Sequence, residues 1–445
     1  MATSIEMGYS MSNSLSDVRP VVGPSACFPI GPDDATRSML WRWHGAFGDV
    51  YRVQSEDNAD ASWVIHDPAL VQKILVGHAA NYRKGAGLDR VRILLGNGIM
   101  VSEGEFWTRQ RRLLQPAFRP RTLADFNGMI DQENRRLAER WRMHAETGQP
   151  LEVAAQISES TLVIVLKSIF GADYPYIVEG ESNPFSLLTE EPERNLRFAA
   201  RFRRLGRLVE QLIDRRESAP RPAFDFLGHM LAARSRAGEA MSRKALIDEV
   251  MTLIVAGHET TASALAWAWY LIAVNPVIRE RLQAAADRVD LDQLGRDGGH
   301  RNPDLAYFDA VINETLRLYP PGWLLSRRAV ADDSLGEHRI EAGAQLFISP
   351  YVLHRHPDYW RAPETFDPAR FEQGEEPAHR FAYIPFAAGP RHCIGEQMAM
   401  TEMRVHLVHM LRRFTPSYAD PHPPQMESHI NLRPADGIYL QLAAR

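Results

Sequence analysis

Apolar residues recur at three- and four-residue spacing through the middle of the chain, which is the periodicity of one face of an α-helix. Two early stretches, 49–54 and 62–66, are dominated by β-branched and aromatic residues and predict short strands. A zone from 326 to 350 predicts further strands, and the C-terminal residues are again β-rich. The helical spacing covers segments 104–118, 123–146, 152–170, 194–217, 225–235, 243–274, 276–289, 304–318 and 394–414.

Helices fill the middle of the chain and strands gather at its two ends, so the pattern predicts a mainly α (α+β) fold. No Gly/Ser-rich linker divides the chain, and we expect residues 20–445 to form a single domain. Residues 1–19 are polar and predict a disordered tail without a secretory signal. The longest uncharged run, 260–278, contains several polar residues and predicts a buried core helix rather than a membrane span.

Composition narrows the class of protein further. The chain has 445 residues, of which 45% are hydrophobic and 24% are charged, values typical of a globular protein with a large core. A formal net charge of −5 gives no reason to expect nucleic acid or an anionic membrane as a partner. The two cysteines, Cys27 and Cys393, provide no disulfide framework, so we expect a cytoplasmic protein without a membrane anchor.

The stretch from Phe386 to Gly395 carries the strongest chemical signal. Its thiol, Cys393, comes just before a predicted helix, where unpaired N–H groups and the helix dipole favour a thiolate. Gly389 and Gly395 allow tight turns and the close approach of a flat group, against which Phe386 can pack. Arg391 stands two residues before the thiol and is suited to an anion. These residues suit an iron ligand in a macrocycle, whereas the alternative is a buried free cysteine packed as a small hydrophobe.

The pattern F-x-x-G-x-R-x-C-x-G resembles the haem-binding loop of the cytochrome P450 family at every fixed position. The segment Pro368–Phe371 is similar to the P-E-R-F of that family, with alanine in place of glutamate. Further signatures follow the family's order along the chain: Trp107 to Arg111 for W-x-x-x-R, Ala256 to Thr261 for the oxygen-binding helix, and Glu314 to Arg317 for E-x-x-R.

The resemblance implies a cytochrome P450 fold in which Cys393 binds the iron of haem b. Gly257 and Thr260 are weak points of a long helix, and they predict a local opening beside Ala256 that would hold O₂. Thr260 would then hydrogen-bond to the bound oxygen while Glu259 relays protons from solvent. Alternatively, Glu259 and Thr260 only satisfy hydrogen-bonding groups of a core helix. A zinc site of the H-E-x-x-H type is excluded, because its second histidine position is Ala262.

Glu314 and Arg317 lie three residues apart and share a face of an apolar helix. A buried pair of this kind needs additional partners, and Arg370 is the candidate. The resemblance implies that these three residues hold the cysteine loop in place, which is a structural role.

A haem carries two propionates, whose burial requires cations or strong hydrogen-bond donors. Each arginine in question could instead be a solvated surface charge. Arg327 is preferred over its neighbour Arg328 by the resemblance, and Lys84 is a weaker candidate. The complete set of expected donors is Trp107, Arg111, Arg327 and Arg391.

We therefore expect a haem-dependent monooxygenase that hydroxylates or epoxidises a small, largely apolar substrate with O₂. Only about thirty residues follow position 414, too few for a flavin domain, so electrons would come from NAD(P)H through a separate ferredoxin and ferredoxin reductase. Four basic residues of the early helical region would attract an acidic donor, although a solvated helix face is an alternative. They are Arg109, Arg112, Arg119 and Arg121.

Two other functions remain open: peroxide-driven or non-oxidative chemistry, and a non-catalytic haem carrier or sensor. The intact pair of Glu259 and Thr260 favours oxygen activation. The lid is expected from helices around 175–217 and a loop at 85–103, and its region between Gly171 and Arg207 looks short, which predicts an open distal face. The expected pocket wall consists of Leu88, Leu253, Ile254, Ala256, Trp323, Leu324 and Leu325.

Overall fold

The computed structural model describes residues 23–24, 28–55, 58–178, 184–186, 188, 196–219, 224–235, 237–299, 302–372 and 377–445. The tail expected at 1–19 and Cys27 lie outside this part of the chain, and so does much of the lid region between 179 and 195. The length of the tail and the openness of the lid therefore stay predictions.

Helices make up most of the described chain, as the periodicity predicts. In chain order they are α1 Asp34–Phe47, α2 Pro68–Gln72, α3 Leu88–Leu95, α4 Gly104–Leu114, α5 Pro120–Leu123, α6 Asn127–Thr147, α7 Val153–Phe170, α8 Tyr174–Val178, α9 Leu196–Ser218, α10 Phe226–Ala232, α11 Arg243–Val274, α12 Pro276–Arg288, α13 Leu291–Asp297, α14 Ala306–Leu318, α15 Pro350–Leu353, α16 Ala369–Glu372 and α17 Glu396–Leu411.

The strands form small sheets. They are β1 Val50–Ser55, β2 Asn58–Ile65, β3 Tyr82–Lys84, β4 Leu151–Glu152, β5 Leu325–Ala329, β6 Asp333–Leu335, β7 His338–Ile340, β8 Gln345–Ile348, β9 Phe414–Ser417, β10 Met426–Ser428, β11 Leu432–Pro434 and β12 Tyr439–Ala444.

The largest sheet has the order β1-β2-β8-β5-β3, and only β2 and β8 run parallel within it. It joins strands from both ends of the chain, which confirms the prediction of strands at 49–54, 62–66 and within 326–350. In the β3–β5 ladder Lys84 stands directly opposite Arg327. This register brings two positive side chains to one place in the interior.

Helix α11 is the central element of the core. The hydroxyl of Ser242 accepts a hydrogen bond from the Ala245 backbone N–H and starts the helix, and the helix ends just before Pro276. Most of its residues are apolar and buried, which is typical of a core helix. A Cβ atom at Gly257 would lie 3.1 Å from Val165 Cγ2, so this glycine allows α7 to pack closely.

The expected opening of this helix near Gly257 is not present. Helix α11 runs without interruption from Arg243 to Val274. The hydroxyl of Thr260 does donate to the carbonyl of Ala256, at 2.8 Å. This bond adds to the helix without interrupting it, because a threonine hydroxyl can share a carbonyl four residues back.

Several helices of the described chain were not predicted from the sequence, α1 and α3 among them. Helix α1 packs Leu40 and Trp43 against the first strands, but its apolar stripe is short and interrupted by charged residues. Helix α3 lies within the segment expected as a loop at 85–103. It has eight residues between Gly87 and Gly96, both with positive φ, so it is too short for a periodic signal.

The end of helix α9 is fixed by a buried arginine. Arg216 donates to Asp173 at 2.8 Å, to both oxygens of Asp225 at 3.1 and 3.0 Å, and to the carbonyl of Phe170 at 3.0 Å. Its side chain is buried, and these bonds satisfy its charge. The described base of the lid is thereby attached firmly to the core.

Within the described residues, the helical stretch Val153–Val178 is long and apolar enough to cross a bilayer, and α11 with α12 passes the same criterion if the bent pair is taken together. In the first stretch 61% of the most apolar window is buried inside the protein. Such burial is typical of a core helix, which meets the same criterion of length and composition.

Candidate haem site

Backbone geometry brings Cys393 to the start of helix α17. The backbone N–H of Cys393 donates to the carbonyl of Phe386 at 2.9 Å, which closes the loop. Gly389 has φ +70°, and a Cβ atom there would lie 1.9 Å from the carbonyl oxygen of Leu75. Ala387 also adopts a left-handed conformation, with φ +58°. The loop therefore needs glycine at 389, and it holds a strained residue next to the thiol.

Opposing influences act on the thiol. Burial raises the pKa of Cys393, whereas hydrogen bonds from the backbone N–H groups of Gly395 and Glu396 and the charge of Arg111 lower it. The sulfur is nevertheless accessible from a cavity that the loop lines. A thiol with a raised pKa is protonated by itself and loses its proton on binding a metal. The N–H groups then stabilise the negative sulfur.

The cavity has a volume of ≈ 330 Å³ and lies between α7, α11 and α17. Of the expected wall residues, Leu253, Ala256 and Leu325 line it. Ile254 and Trp323 are fully buried in the core, and neither Leu88 nor Leu324 lines the cavity, so these four predictions were wrong. The sequence also missed lining residues from other elements: Met100, Phe118, Val165, Ser168, Ile169, Phe226, Met398, Glu402 and Met403.

The expected propionate donors surround one end of this site. The guanidinium of Arg391 lies 3.9 Å from the ring centroid of Trp107. It also donates to Glu103 at 2.5 Å and to the carbonyl of Ser102 at 2.8 Å. Arg391 is thus oriented by an aromatic face, a carboxylate and a carbonyl. Glu103 was not identified from the sequence, since it precedes the motif that contains Trp107.

Lys84 and Arg327 belong to the same cluster. Burial, then the charges of Arg391 and Arg327, lower the pKa of Lys84 to about 7. Burial and Arg391 lower the pKa of Arg327 to about 10. Arg328 is exposed on the opposite face of β5, which agrees with the preference for Arg327. Among the described residues, Glu103 is the acidic side chain whose charge opposes these shifts, so the described cluster has an excess of positive charge.

These features fit a haem. A haem of the thiolate type requires a sulfur ligand on one face, room for a flat macrocycle and cations for two carboxylates. Cys393 reaches the cavity, and the cavity walls are mostly apolar. The cluster contains three cations, Lys84, Arg327 and Arg391. The carboxylates near them among the described residues are too few to balance this positive charge.

Polar groups of α11 complete the other side of the cavity. Thr260 and Thr261 line it, and Ala256 and Gly257 stand beside them. Glu259 is half-buried and accepts a hydrogen bond from the side-chain amide of Asn431 at 3.0 Å. Asn431 comes from the C-terminal strand region, and no sequence signal linked it to α11.

The predicted ion-pair cluster of Glu314, Arg317 and Arg370 is confirmed. Arg317 donates to both carboxylate oxygens of Glu314 at 2.6 and 2.8 Å, and Arg370 donates to Glu314 at 3.3 Å. Arg317 also donates to the carbonyl of His354 at 2.9 Å, while the ring of His354 accepts from the N–H of Ile384 at 2.9 Å. The cluster is therefore connected through His354 to the segment that leads into the cysteine loop.

Comparison with known proteins agrees with this geometry. The family model described as Cytochrome P450 matches residues 20–201 and 182–442. Cyclooctatin synthase of Streptomyces melanosporofaciens is 34% identical over 369 residues, covering 78% of this chain and 79% of that protein. Cyclooctat-9-en-7-ol 5-monooxygenase of the same organism is 30% identical and covers 80% of both chains.

A solved structure shows the same fold. The crystal structure of the cytochrome P450 CYP102L1 superimposes with a TM-score of 0.82 at 24% identity, covering 96% of this chain and 100% of that chain. The mainly α architecture with small sheets is thus the cytochrome P450 fold. Family match, relatives and fold agree: this chain belongs to the cytochrome P450 family and is a haem-dependent monooxygenase that uses O₂ and electrons from a reductant.

Proposed function

We propose that this enzyme binds haem b through Cys393 and inserts one oxygen atom of O₂ into a small, uncharged, largely hydrocarbon substrate by hydroxylation or epoxidation. The observation that carries the proposal is the cavity itself, in which the Cys393 sulfur, two backbone N–H groups and the hydroxyl of Thr260 meet among apolar walls. The haem would supply oxygen activation and, through its thiolate ligand, favour cleavage of the O–O bond.

The protein's own residues would divide the remaining work. Arg391, Arg327, Trp107 and Arg111 are proposed to hold the propionates, and we add Lys84 to this set because it shares the same buried cluster. Phe386, Gly389 and Gly395 shape the loop under the macrocycle, whereas Ala256 and Gly257 border the oxygen side. Thr260 and Glu259 have a different role, because they are proposed to hold and relay protons on that side.

The charge of the cavity supports an uncharged substrate. Among the residues that the structure describes, Arg391 is the one cation that lines it, and this guanidinium is already bound to Glu103 and to the carbonyl of Ser102. The hydroxyl of Ser168 donates to the carbonyl of Ile164 at 2.8 Å. A fatty acid would therefore leave its carboxylate without a partner, which is costly in an apolar site. Alicyclic alkenols, the class named for one relative, are the first candidates.

Electrons are proposed to come from NAD(P)H through a separate ferredoxin and its reductase. Arg112, Arg119 and Arg121 are exposed, and within the described ranges none of them forms an ion pair. Arg109 differs, because it pairs with Glu239 at 3.4 Å. Three exposed cations without an ion pair among the described residues support docking of an acidic donor. We also propose that residues 20–445 form one domain and that the enzyme acts in the cytoplasm.

The spectrum of the reduced, CO-bound protein tests thiolate ligation. We expect a strongly red-shifted Soret band that is lost in Cys393→His, whereas His392→Ala, a change in the neighbouring half-buried side chain, retains it. A screen of alicyclic alkenols and of fatty acids of equal size would then follow the spin state of the ferric iron. Product coupled to NAD(P)H oxidation separates a monooxygenase from a haem carrier. A wild-type protein without the red-shifted band would refute the proposal.

A further inference from the structure

Three side chains that the haem scheme does not use meet at a second place in the fold. His44 belongs to the last turn of α1, Asp49 stands just before β1, and His356 follows α15. The Oδ1 atom of Asp49 accepts hydrogen bonds from Nε2 of His44 at 3.0 Å and from Nε2 of His356 at 2.8 Å. The potential ligand atoms all lie within 4.8 Å of one another, so two imidazoles and a carboxylate converge on one point.

A further histidine lies beside this group and is buried without a partner. His66 follows β2 and is fully buried, and both of its ring nitrogens lack a hydrogen-bond partner among the described residues. An unpartnered polar group in the interior is destabilising, and an apolar side chain would fill the same space without that penalty. The ring centroid of His44 lies 5.4 Å from that of His66 and 4.8 Å from that of His356. Imidazoles bound to one tetrahedral zinc ion are about 5 Å apart by the same measure, given the usual Zn–N distance.

The charge states of these groups suit a metal ion. Burial raises the pKa of Asp49, but the hydrogen bonds from His356 and His44 outweigh this effect and hold the pKa well below its ordinary range. Burial lowers the pKa of His66 to about 3, so this ring is neutral. Carboxylates and neutral imidazoles are the forms that bind metals. The side chain of Asp49 is 31% exposed, which gives an ion access from solvent.

We propose that these three histidines and Asp49 form a structural site for one zinc ion. Three nitrogen ligands and one carboxylate oxygen fit zinc, whereas magnesium and calcium prefer oxygen ligands. Binding requires the proton on Nε2 of His44 and of His356 to move to Nδ1. In His356 this removes the hydrogen bond that Nδ1 accepts from the Asp358 backbone N–H at 3.1 Å. That N–H can bond to water instead, because Asp358 is exposed.

The ion would join three parts of the fold: helix α1, the β1–β2 hairpin and the segment after α15. This last segment also contains His354, which connects Arg317 to the chain leading into the cysteine loop. The zinc site would therefore stabilise the N-terminal region against the segment that supports the loop. It does not depend on the proposed monooxygenase activity, so the two proposals can fail separately.

Metal content of the holoprotein is the first measurement. After incubation with zinc chloride and removal of the excess by gel filtration, we expect one zinc ion per haem iron. With zinc at about 100 times its dissociation constant, the Tm should rise by about 3 °C. X-ray absorption at the zinc edge should show nitrogen and oxygen ligands at about 2.0 Å, outer-shell scattering from three imidazoles, and no sulfur ligand.

Variants assign the ion to these residues. Asp49→Asn keeps the shape of the side chain but removes the anionic ligand, and His66→Phe removes the buried imidazole. Both should lose the zinc during gel filtration and show no rise in Tm with zinc. The matched control is His78→Gln, because His78 forms a comparable pair with Asp333 at 2.8 Å outside this group. It should retain one zinc ion. The CO-bound spectrum of each variant shows whether it is folded, and the X-ray absorption of the wild type tests the site without any variant.

The outcomes are distinct. A wild type that retains no zinc refutes the site and leaves the monooxygenase proposal untouched. Zinc that survives Asp49→Asn, or that has a sulfur ligand, is bound elsewhere, and the inference is wrong. If only His66→Phe retains the ion with unchanged affinity, His66 is not a ligand, and the assignment of three imidazoles is wrong. A protein that binds one zinc ion as expected but forms no product refutes the proposed function alone.

Discussion

Lys84 and Arg327 face each other directly across the β3–β5 ladder, inside the protein and beside Arg391. Like charges at directly opposed positions of a sheet are destabilising. In the part of the chain that the structure describes, Glu103 is the carboxylate whose charge opposes this repulsion. The natural explanation is that the two haem propionates complete the cluster. The same positive charges then lower the stability of the apoprotein and raise its affinity for haem.

Replacement of Lys84 by methionine should separate these two quantities. In the apoprotein, Lys84→Met should raise the free energy of unfolding by about 1 kcal/mol, because it removes a buried charge next to Arg327. In the holoprotein it should speed the transfer of haem to apomyoglobin. Arg83→Met, at the exposed neighbouring position, is the control for both measurements. A Lys84→Met apoprotein that is less stable than the wild-type apoprotein would contradict this explanation.

The same lysine predicts a pH dependence of apoprotein stability. Its pKa is about 7 in the folded state and near 10.5 in the unfolded chain, so the unfolded chain binds more protons between these values. Stability must therefore rise with pH from about 7 to about 10. Chemical denaturation over this range should show a positive slope for the wild type relative to Lys84→Met. Equal slopes would show that burial in the folded protein does not lower the pKa of Lys84.

A methyl group at Gly389 should prevent the cysteine loop from forming. Gly389→Ala must accept a left-handed φ and a contact of 1.9 Å with the Leu75 carbonyl, which should cost at least about 2 kcal/mol. Thermal unfolding and haem content measure the loss. Gly77→Ala is the matched control, since a Cβ atom there meets nothing within 4 Å and its φ is not positive. A Gly389→Ala protein with full haem content would contradict the geometry.

Local sequence information was sufficient for the elements and for the loop that carries Cys393. Long periodic segments such as those of α7 and α11 were predicted within a few residues, and the spacing around Cys393 identified the thiol. Short elements were missed where tertiary contacts replace local signals. Helix α3 is limited by Gly87 and Gly96, and its eight residues cannot establish a period.

The rest of the site depends on residues that are distant in the sequence. Asn431 reaches Glu259 across 172 positions, and Glu103 binds Arg391 across 288. Neither pairing has a local pattern. Glu402 lies in a helix that also carries Arg404, His406 and His409, so its burial in the cavity wall can be recognised only in three dimensions. The pocket wall was wrong at four positions, because hydrophobicity does not distinguish a cavity wall from a filled core.

The bond between Asn431 and Glu259 predicts an effect of the C-terminal region on coupling. Asn431→Ala removes the donor at 3.0 Å and with it one restraint on the orientation of the Glu259 side chain. We expect stability to fall by less than about 1 kcal/mol, while less product forms per NAD(P)H. The control is Asn81→Ala, which removes an exposed hydrogen bond from the Asn81 side-chain amide to the Ala331 carbonyl. This change should leave coupling as it is in the wild type. Unchanged coupling in Asn431→Ala would show that Glu259 does not need this partner.

The buried cluster around Glu314 gives the largest expected loss of stability. Glu314→Gln leaves Arg317 fully buried with an uncompensated charge and weakens the bond to Arg370, which should cost about 3–5 kcal/mol. Because Arg317 also holds the His354 carbonyl, and His354 accepts from the segment leading to the cysteine loop, haem content should fall as well. Denaturant titration and haem content measure the two effects.

An exposed ion pair supplies the control for this prediction. Arg288 and Asp304 contact each other at 2.7 Å, but both keep substantial solvent exposure, so Asp304→Asn should cost about 0–1 kcal/mol and no haem. The comparison separates burial from charge, because both variants neutralise a carboxylate that binds an arginine at similar distance. If Glu314→Gln lost stability but retained full haem content, the cluster would support the fold without positioning the loop. If the free energy of unfolding fell equally little in both variants, water would have to reach Arg317. That result would conflict with the complete burial of Arg317.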